Sequence, residues 1–180
     1  SGFGVQVRLA GEIHHRGIPE VLGARSAAHL LHQTVNITIG DARGRVAAAT
    51  TCLPTQGPTG GVIGPAAPQV LAAIDGGKLS AGHTKVIVHC VGKIPAVVDE
   101  DTRQLCRDTL LDQARGRDEN GLRQVAEQIT LILDPDGALS GKDPDQRAEL
   151  HLGVKRLDGL TPIRGLLSPL TAQQFRVAID

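Results

Sequence analysis

Apolar positions recur at helical spacing through most of the chain. In residues 5–16, "VQVRLAGEIHHR", Val5, Leu9 and Ile13 stand four apart, which predicts a first helix ending near Gly17. From Pro19 the row Val21, Ala24, Ala28, Leu31 and Val35 advances by three or four residues and predicts a second helix. The next stretch, "TVNITIGDARGRV", reads as a strand by propensity alone, but Thr38 and Asp41 have the spacing of a capping box. The threonine hydroxyl accepts from first-turn amides while the carboxylate reaches back, so Thr38 starts a third helix. Ala42, Val46, Ala49 and Leu53 repeat on one face of it and Pro54 helps to end it. Only Asn36 and Ile37 separate the two helices, a tight helix-turn-helix.

Residues 54–68, "PTQGPTGGVIGPAAP", hold four prolines and four glycines and read as a linker. Three further helices are predicted over Lys78–Ile94, Ala96–Ala114 and Glu119–Leu133, the first with Leu79, Val86, Ile87, Cys90 and Ile94 inward. After Arg147 the period changes to two. Leu150, Leu152 and Val154 should face the helices, Asp158-Gly159 should form a two-residue hairpin turn, and Ile163–Leu167 should return as the second strand. Thr171 and Gln174 suit the cap of a last helix with Phe175, Ala178 and Ile179 inward. The expected fold is mainly α: an N-terminal helical part with the helix-turn-helix at 1–53, the linker at 54–68, and a C-terminal helical part with a β-hairpin at 69–180.

Composition narrows the core. The chain has no Trp, Tyr or Met, and Phe3 and Phe175 are its only aromatics, so packing must come from Leu, Val, Ile and Ala on closely approaching helices. Nineteen basic residues balance nineteen acidic ones, which excludes a chain-wide electrostatic footprint for phosphate binding and leaves only a local one. Cys52, Cys90 and Cys106 are widely spaced without a Cys-x-x-Cys, which argues against a disulfide framework and a four-cysteine zinc site and suits a reducing cytoplasm. No apolar run approaches the roughly 18 residues of a membrane span and no signal peptide opens the chain, so a soluble cytoplasmic protein is expected. Ser1-Gly2 resembles a protease scar and the last helix stops without a cap, so the chain reads as an excised piece.

Little of the sequence carries chemistry. His14-His15 diverge on a helix, and His29 with His32 lacks further metal ligands at a convincing offset, so no metal is expected. Asp134, Asp136, Asp143 and Asp145 lack the ligand order and closing glutamate of a calcium loop. No nucleophile elbow, zinc-protease, P-loop or dinucleotide motif occurs. No catalytic residue, cofactor or small-molecule ligand is expected. Arginines remain: Arg43 and Arg45 near the start of the third helix, with Arg25 and Arg16 close in sequence. Through Thr51, five Arg stand against Glu12, Glu20 and Asp41. These four arginines are the candidate contacts to duplex DNA.

The ordered segments "GARSAAHLLHQTVNITIGDARGRVAAA", "LAAIDGGKLSAGHTKVIVHCVGKIP", "LRQVAEQITLILDPDG" and "RAELHLGVKRLDGLTPIRGLLSP" together resemble the mycobacterial 13E12 repeat family, over nearly the whole chain. That resemblance implies a helical domain of unknown function placed before a His-Asn-His (HNH) endonuclease module, in proteins linked with mobile DNA. No His-Asn-His signature or zinc-knuckle cysteines occur here, so it implies a non-catalytic piece of a DNA-related parent. Two functions are expected from this: direct binding of duplex DNA, or a dimerisation scaffold that positions a nuclease module without touching DNA.

Overall fold

The computed structural model describes residues 2–57, 60–135, 149–155 and 158–179. The chain divides into two compact units, Ser1–Leu133 and Asp134–Asp180. The first holds α1 (Gly2–His15), α2 (Ile18–Val21), α3 (Ala27–Val35), α4 (Ile39–Cys52), α5 (Pro68–Asp75), α6 (Ala81–Lys93), α7 (Glu100–Gln113) and α8 (Glu119–Leu133). It also holds a short antiparallel pair, β1 (Thr55–Gln56) and β2 (Val62–Ile63). The second holds the antiparallel pair β3 (Glu149–Leu152) and β4 (Ile163–Leu166), then α9 (Pro169–Ile179). The fold is mainly α, as the spacing predicts.

Helix α4 is the hub of the first unit, packing against α1, α3, α5 and α6, while α6 packs in turn on α7 and α8. Its start follows from local chemistry. Thr38 is extended, its hydroxyl oxygen accepts the Asp41 N–H at 3.1 Å, and the hydroxyl donates to Asp41 Oδ2 at 2.8 Å. The carboxylate thus reaches back to the hydroxyl of the cap. Just before it, Asn36 ends α3 at φ 52, a left-handed conformation that Asn tolerates better than most residues.

The core is aliphatic, with Val7, Val70, Ile74, Ile87, Leu110 and Leu122 fully buried beside Ala10, Ala42, Ala48 and Ala49. Small residues let helices approach: a Cβ on Gly11 of α1 would lie 2.7 Å from Leu53 Cδ1 and 3.3 Å from Ala49 Cβ. Arg8 fastens α1 to α5 by a bidentate pair with Asp75, at 2.7 and 2.5 Å. That guanidinium holds the Asp75 carboxyl below its usual range. Asp99 caps α7 by accepting the Thr102 N–H at 2.9 Å, so α7 begins later than the expected Ala96.

Several expectations are corrected. The continuous helix over Pro19–Val35 is broken into α2 and α3: Gly23 takes φ 67 and Ser26 accepts the His29 N–H at 3.3 Å, opening a new helix. Val21, counted in the apolar row, is 83% exposed. The 54–68 segment is not where the units divide; Ala67 is buried and its N–H donates to Thr51 O at 3.0 Å, which ties the segment's end to α4. Helix α5, starting on Pro68, was not foreseen, nor was the β1–β2 pair.

In the second unit the strand pair exists but the two-residue turn does not. Pairing runs from Glu149↔Leu166 to Leu152↔Ile163, and one further bond joins Gly153 N–H to Pro162 O at 2.8 Å. Pro162 has no N–H to return, which ends the ladder well before Asp158-Gly159. Gly159 has φ 84, and the Asp158 side chain accepts the Leu160 N–H at 3.0 Å. Leu150, Leu152 and Val154 are all exposed, against the expected burial. Helix α9 starts at Pro169, before the expected cap, with Ser168 Oγ accepting the Thr171 N–H. Phe175 is 45% exposed, and the side chains of Ala178 and Ile179 lie outside the described residues.

Candidate nucleic-acid interface

The capped start of α4 gives its two arginines different surroundings. Arg45 is half-buried: its Nε donates to Gln6 Oε1 at 2.9 Å, Nη1 donates to the Asp41 carbonyl at 3.0 Å, and the guanidinium lies 5.7 Å from the Phe3 ring centroid. It fastens α4 to the first turns of α1, and the cation–π contact adds to that role. Arg43, two residues earlier on the helix, is exposed and makes no side-chain hydrogen bond or ion pair among the described residues.

The other two candidates lie elsewhere. Arg25 is exposed in the turn between α2 and α3 and lines a shallow depression with His29 and Gln33. Arg16 pairs with Glu12 at 2.8 Å, just past the end of α1. It is ten residues from Gln6, roughly 15 Å along the axis at about 1.5 Å per residue. Arg16 and Arg45 therefore occupy opposite ends of α1 and do not form one patch.

Around Arg43 the exposed positions of α4 are Gly40, Asp41, Ala47 and Thr50, with Gly44 half-buried. The stripe is narrow and built of small side chains, so another surface can come close to the helix there. One arginine and one aspartate leave it without net charge, which makes this a weak electrostatic footprint with a single free donor group.

The histidines considered as metal ligands have local partners. His29 Nδ1 lies 2.9 Å from the Ser26 hydroxyl, and His32 Nδ1 lies 2.6 Å from the Ile37 carbonyl. Ser80 and His83 repeat the Ser-x-x-His arrangement at the start of α6, with the ring 3.1 Å from the cap hydroxyl. Among the described residues, no three His, Cys, Asp or Glu side chains lie where one metal ion would join them. Asp136, Asp143 and Asp145 of the acidic loop lie outside the described residues. None of the described helices is long and apolar enough to cross a membrane.

One basic feature escaped the sequence reading. Lys85, His89 and Lys93 stand four apart on α6 and share an exposed face. Partial burial, then Lys93 and Lys85, push the His89 imidazole below its ordinary range. In "KVIVHCVGK" the basic row Lys85, His89 and Lys93 interleaves with the apolar row Val86, Ile87 and Cys90.

The model of the family described as Domain of unknown function (DUF222) matches residues 2–180. Uncharacterized protein MT1160 of Mycobacterium tuberculosis is 28% identical over 165 residues, covering 92% of this chain and 39% of its own length. Uncharacterized protein Rv1128c of Mycobacterium tuberculosis is 28% identical over 165 residues, covering 92% of this chain and 36% of its own. Uncharacterized protein Mb1179c of Mycobacterium bovis is 27% identical over 172 residues, covering 92% and 38%. The chain thus spans less than two fifths of these relatives. No solved structure matches it.

Proposed function

Since the chain belongs to the DUF222 family, with mycobacterial relatives, we propose that it is a non-catalytic, cytoplasmic DNA-binding domain of a mobile-element-related, HNH endonuclease-like protein of the 13E12 repeat type. The observation that carries this reading is Arg43: an exposed, unpaired guanidinium in the first turns of a capped helix that follows a two-residue turn. Such a group suits phosphate or a guanine edge. Arg45 supports the helix from behind, and Arg25 is available as a flanking phosphate contact.

The test is a salt titration of binding to random-sequence and repeat-derived duplexes, with Arg43→Ala beside the parent chain. Binding should fall with salt, by a slope that reflects the few phosphates contacted, and Arg43→Ala should weaken it by about 1–3 kcal/mol if the arginine reads a base. Unchanged binding in Arg43→Ala would remove α4 as the reader.

A second reading rests on β3 and β4. Leu150 and Leu152 lie on one side of β3, opposite Gly165 and Ile163 of β4, and all the apolar members are exposed. A two-stranded sheet with an uncovered apolar face favours a scaffold that dimerises or docks a nuclease module. Light scattering separates the two: a dimer without salt-sensitive DNA binding supports the scaffold.

A further inference from the structure

In the second unit, β3 and β4 form a sheet of two strands, and among the described residues no third strand joins either edge. Directly opposed residues share a face, so one side carries Leu150, Leu152, Ile163 and Gly165 and the other carries Glu149, His151, Arg164 and Leu166. The free edges follow from the bonding. Gly153 donates inward to the Pro162 carbonyl, and bonded pairs alternate along an antiparallel ladder. Glu149 and His151 therefore bond inward to β4, while Leu150 and Leu152 turn their N–H and C=O groups outward.

The two outer edges are not equivalent. On its charged face β4 offers Arg164 alone, so pairing β4 with a copy of itself brings two arginines together with no acid between them. β3 carries an acceptor and a donor, Glu149 and His151, which lie 3.3 Å apart within one strand. Leu150 also lacks a side-chain neighbour across the hairpin, because its partner is Gly165, where a Cβ would collide with the Glu149 carbonyl. A two-fold axis at Leu150 answers all of these features. Leu150 then faces the partner's Leu150 and exchanges two backbone hydrogen bonds with it, while Glu149 faces the partner's His151 and His151 the partner's Glu149. An imidazole N–H donates to a carboxylate whether or not the ring is charged.

We propose that β3 is a homodimer edge, on which a second copy of this chain adds its own β3 antiparallel about Leu150. The result is a four-stranded sheet in the order β4, β3, partner β3, partner β4, in place of a two-stranded one that is marginal in water. Its apolar face joins Leu150, Leu152 and Ile163 of both copies. This pairing deepens the scaffold reading and rests on it.

The test is sedimentation equilibrium of the full chain over a concentration series, together with mild oxidation of Leu150→Cys and Ile163→Cys. A monomer–dimer equilibrium is expected. Across the axis the two Leu150 Cα atoms lie about 5.5 Å apart, within the roughly 4.4–6.8 Å of a disulfide, while the two Ile163 positions are separated by three strand spacings, about 14 Å. Leu150→Cys should therefore form a covalent dimer and Ile163→Cys should not, against the low background of the buried Cys52, Cys90 and Cys106. Glu149→Lys, an exposed substitution checked for folding by circular dichroism, should weaken dimerisation about five-fold, and adding His151→Glu should recover it. Unchanged dimerisation of Glu149→Lys would overturn the axis at Leu150. A dimer in which Leu150→Cys cross-links no faster than Ile163→Cys would overturn the pairing and leave the scaffold reading standing on another surface. A monomer at every concentration would also overturn the pairing, and salt-sensitive duplex binding by that monomer would overturn the scaffold reading as well.

Discussion

Removing the hydroxyl of Thr38 tests whether the turn between α3 and α4 is held as described. The Thr38 oxygen accepts one N–H, that of Asp41, and donates to the same residue's carboxylate. Thr38→Ala leaves that amide to water and the carboxylate without its partner. Because the site is exposed, the side-chain pair adds little, and the capping bond sets the cost at about 1 kcal/mol, within a range of about 0.5–2. For a cooperative unit of this size that lowers Tm by roughly 3–5 °C. With no Trp or Tyr in the chain, far-UV circular dichroism during urea and thermal unfolding is the natural readout. Thr38→Ser keeps the oxygen and should stay within about 0.3 kcal/mol of the parent, as the cap ranking implies. If Thr38→Ala matches the parent, or if Thr38→Ser loses as much as alanine, the oxygen is not what starts α4.

Three further outcomes follow from the packing. Gly11→Val should destabilise by about 1–3 kcal/mol, because the branched side chain has to displace Leu53 and Ala49; Gly11→Ala should be far milder, its helix-propensity gain of about 1 kcal/mol offsetting the shift of Leu53 Cδ1. Arg8 holds the folded Asp75 carboxyl below its usual range, so the stability it contributes is present above the ordinary carboxylate range and is lost as pH falls through the lowered folded value. Urea midpoints of the parent and Asp75→Asn should therefore differ at pH 7 and converge in strong acid; a gap that stays constant in acid would count against the ion pair. Burial pushes the Cys52 thiol up to about 12, so it should resist alkylation in the native chain and react once urea unfolds it. Rapid native labelling would mean the α4 end opens readily.

Where local chemistry decided the structure, the sequence was readable. The Thr38–Asp41 box, the Asn36–Ile37 turn and the span of α8 all depend on residues within a few positions of each other. Expectations failed where a longer-range or competing effect decided. Val21 and Ala24 kept helical spacing, yet Gly23 and the Ser26 cap divided the segment, since spacing cannot register a left-handed glycine. The early end of the β3–β4 ladder depends on which residue meets Pro162 across the pair, a matter of register. Of the four candidate arginines, sequence distance grouped Arg16, Arg25, Arg43 and Arg45 together; the fold assigns Arg45 to Phe3 and Gln6 and Arg16 to Glu12. The basic row on α6 is legible at its four-residue period, as a pattern of charge and not of apolar spacing.

The central position of α4 has an evolutionary consequence. Ala42, Ala48, Ala49 and Cys52 are held by neighbours on several sides, so change at any of them disturbs several helix contacts at once. Residues 40, 43, 47 and 50 face outward and bear none of that load. If the helix is a reading surface, a lineage adapting to a new target has about four letters to rewrite, and it can exchange them one at a time while the rest of the unit stays fixed.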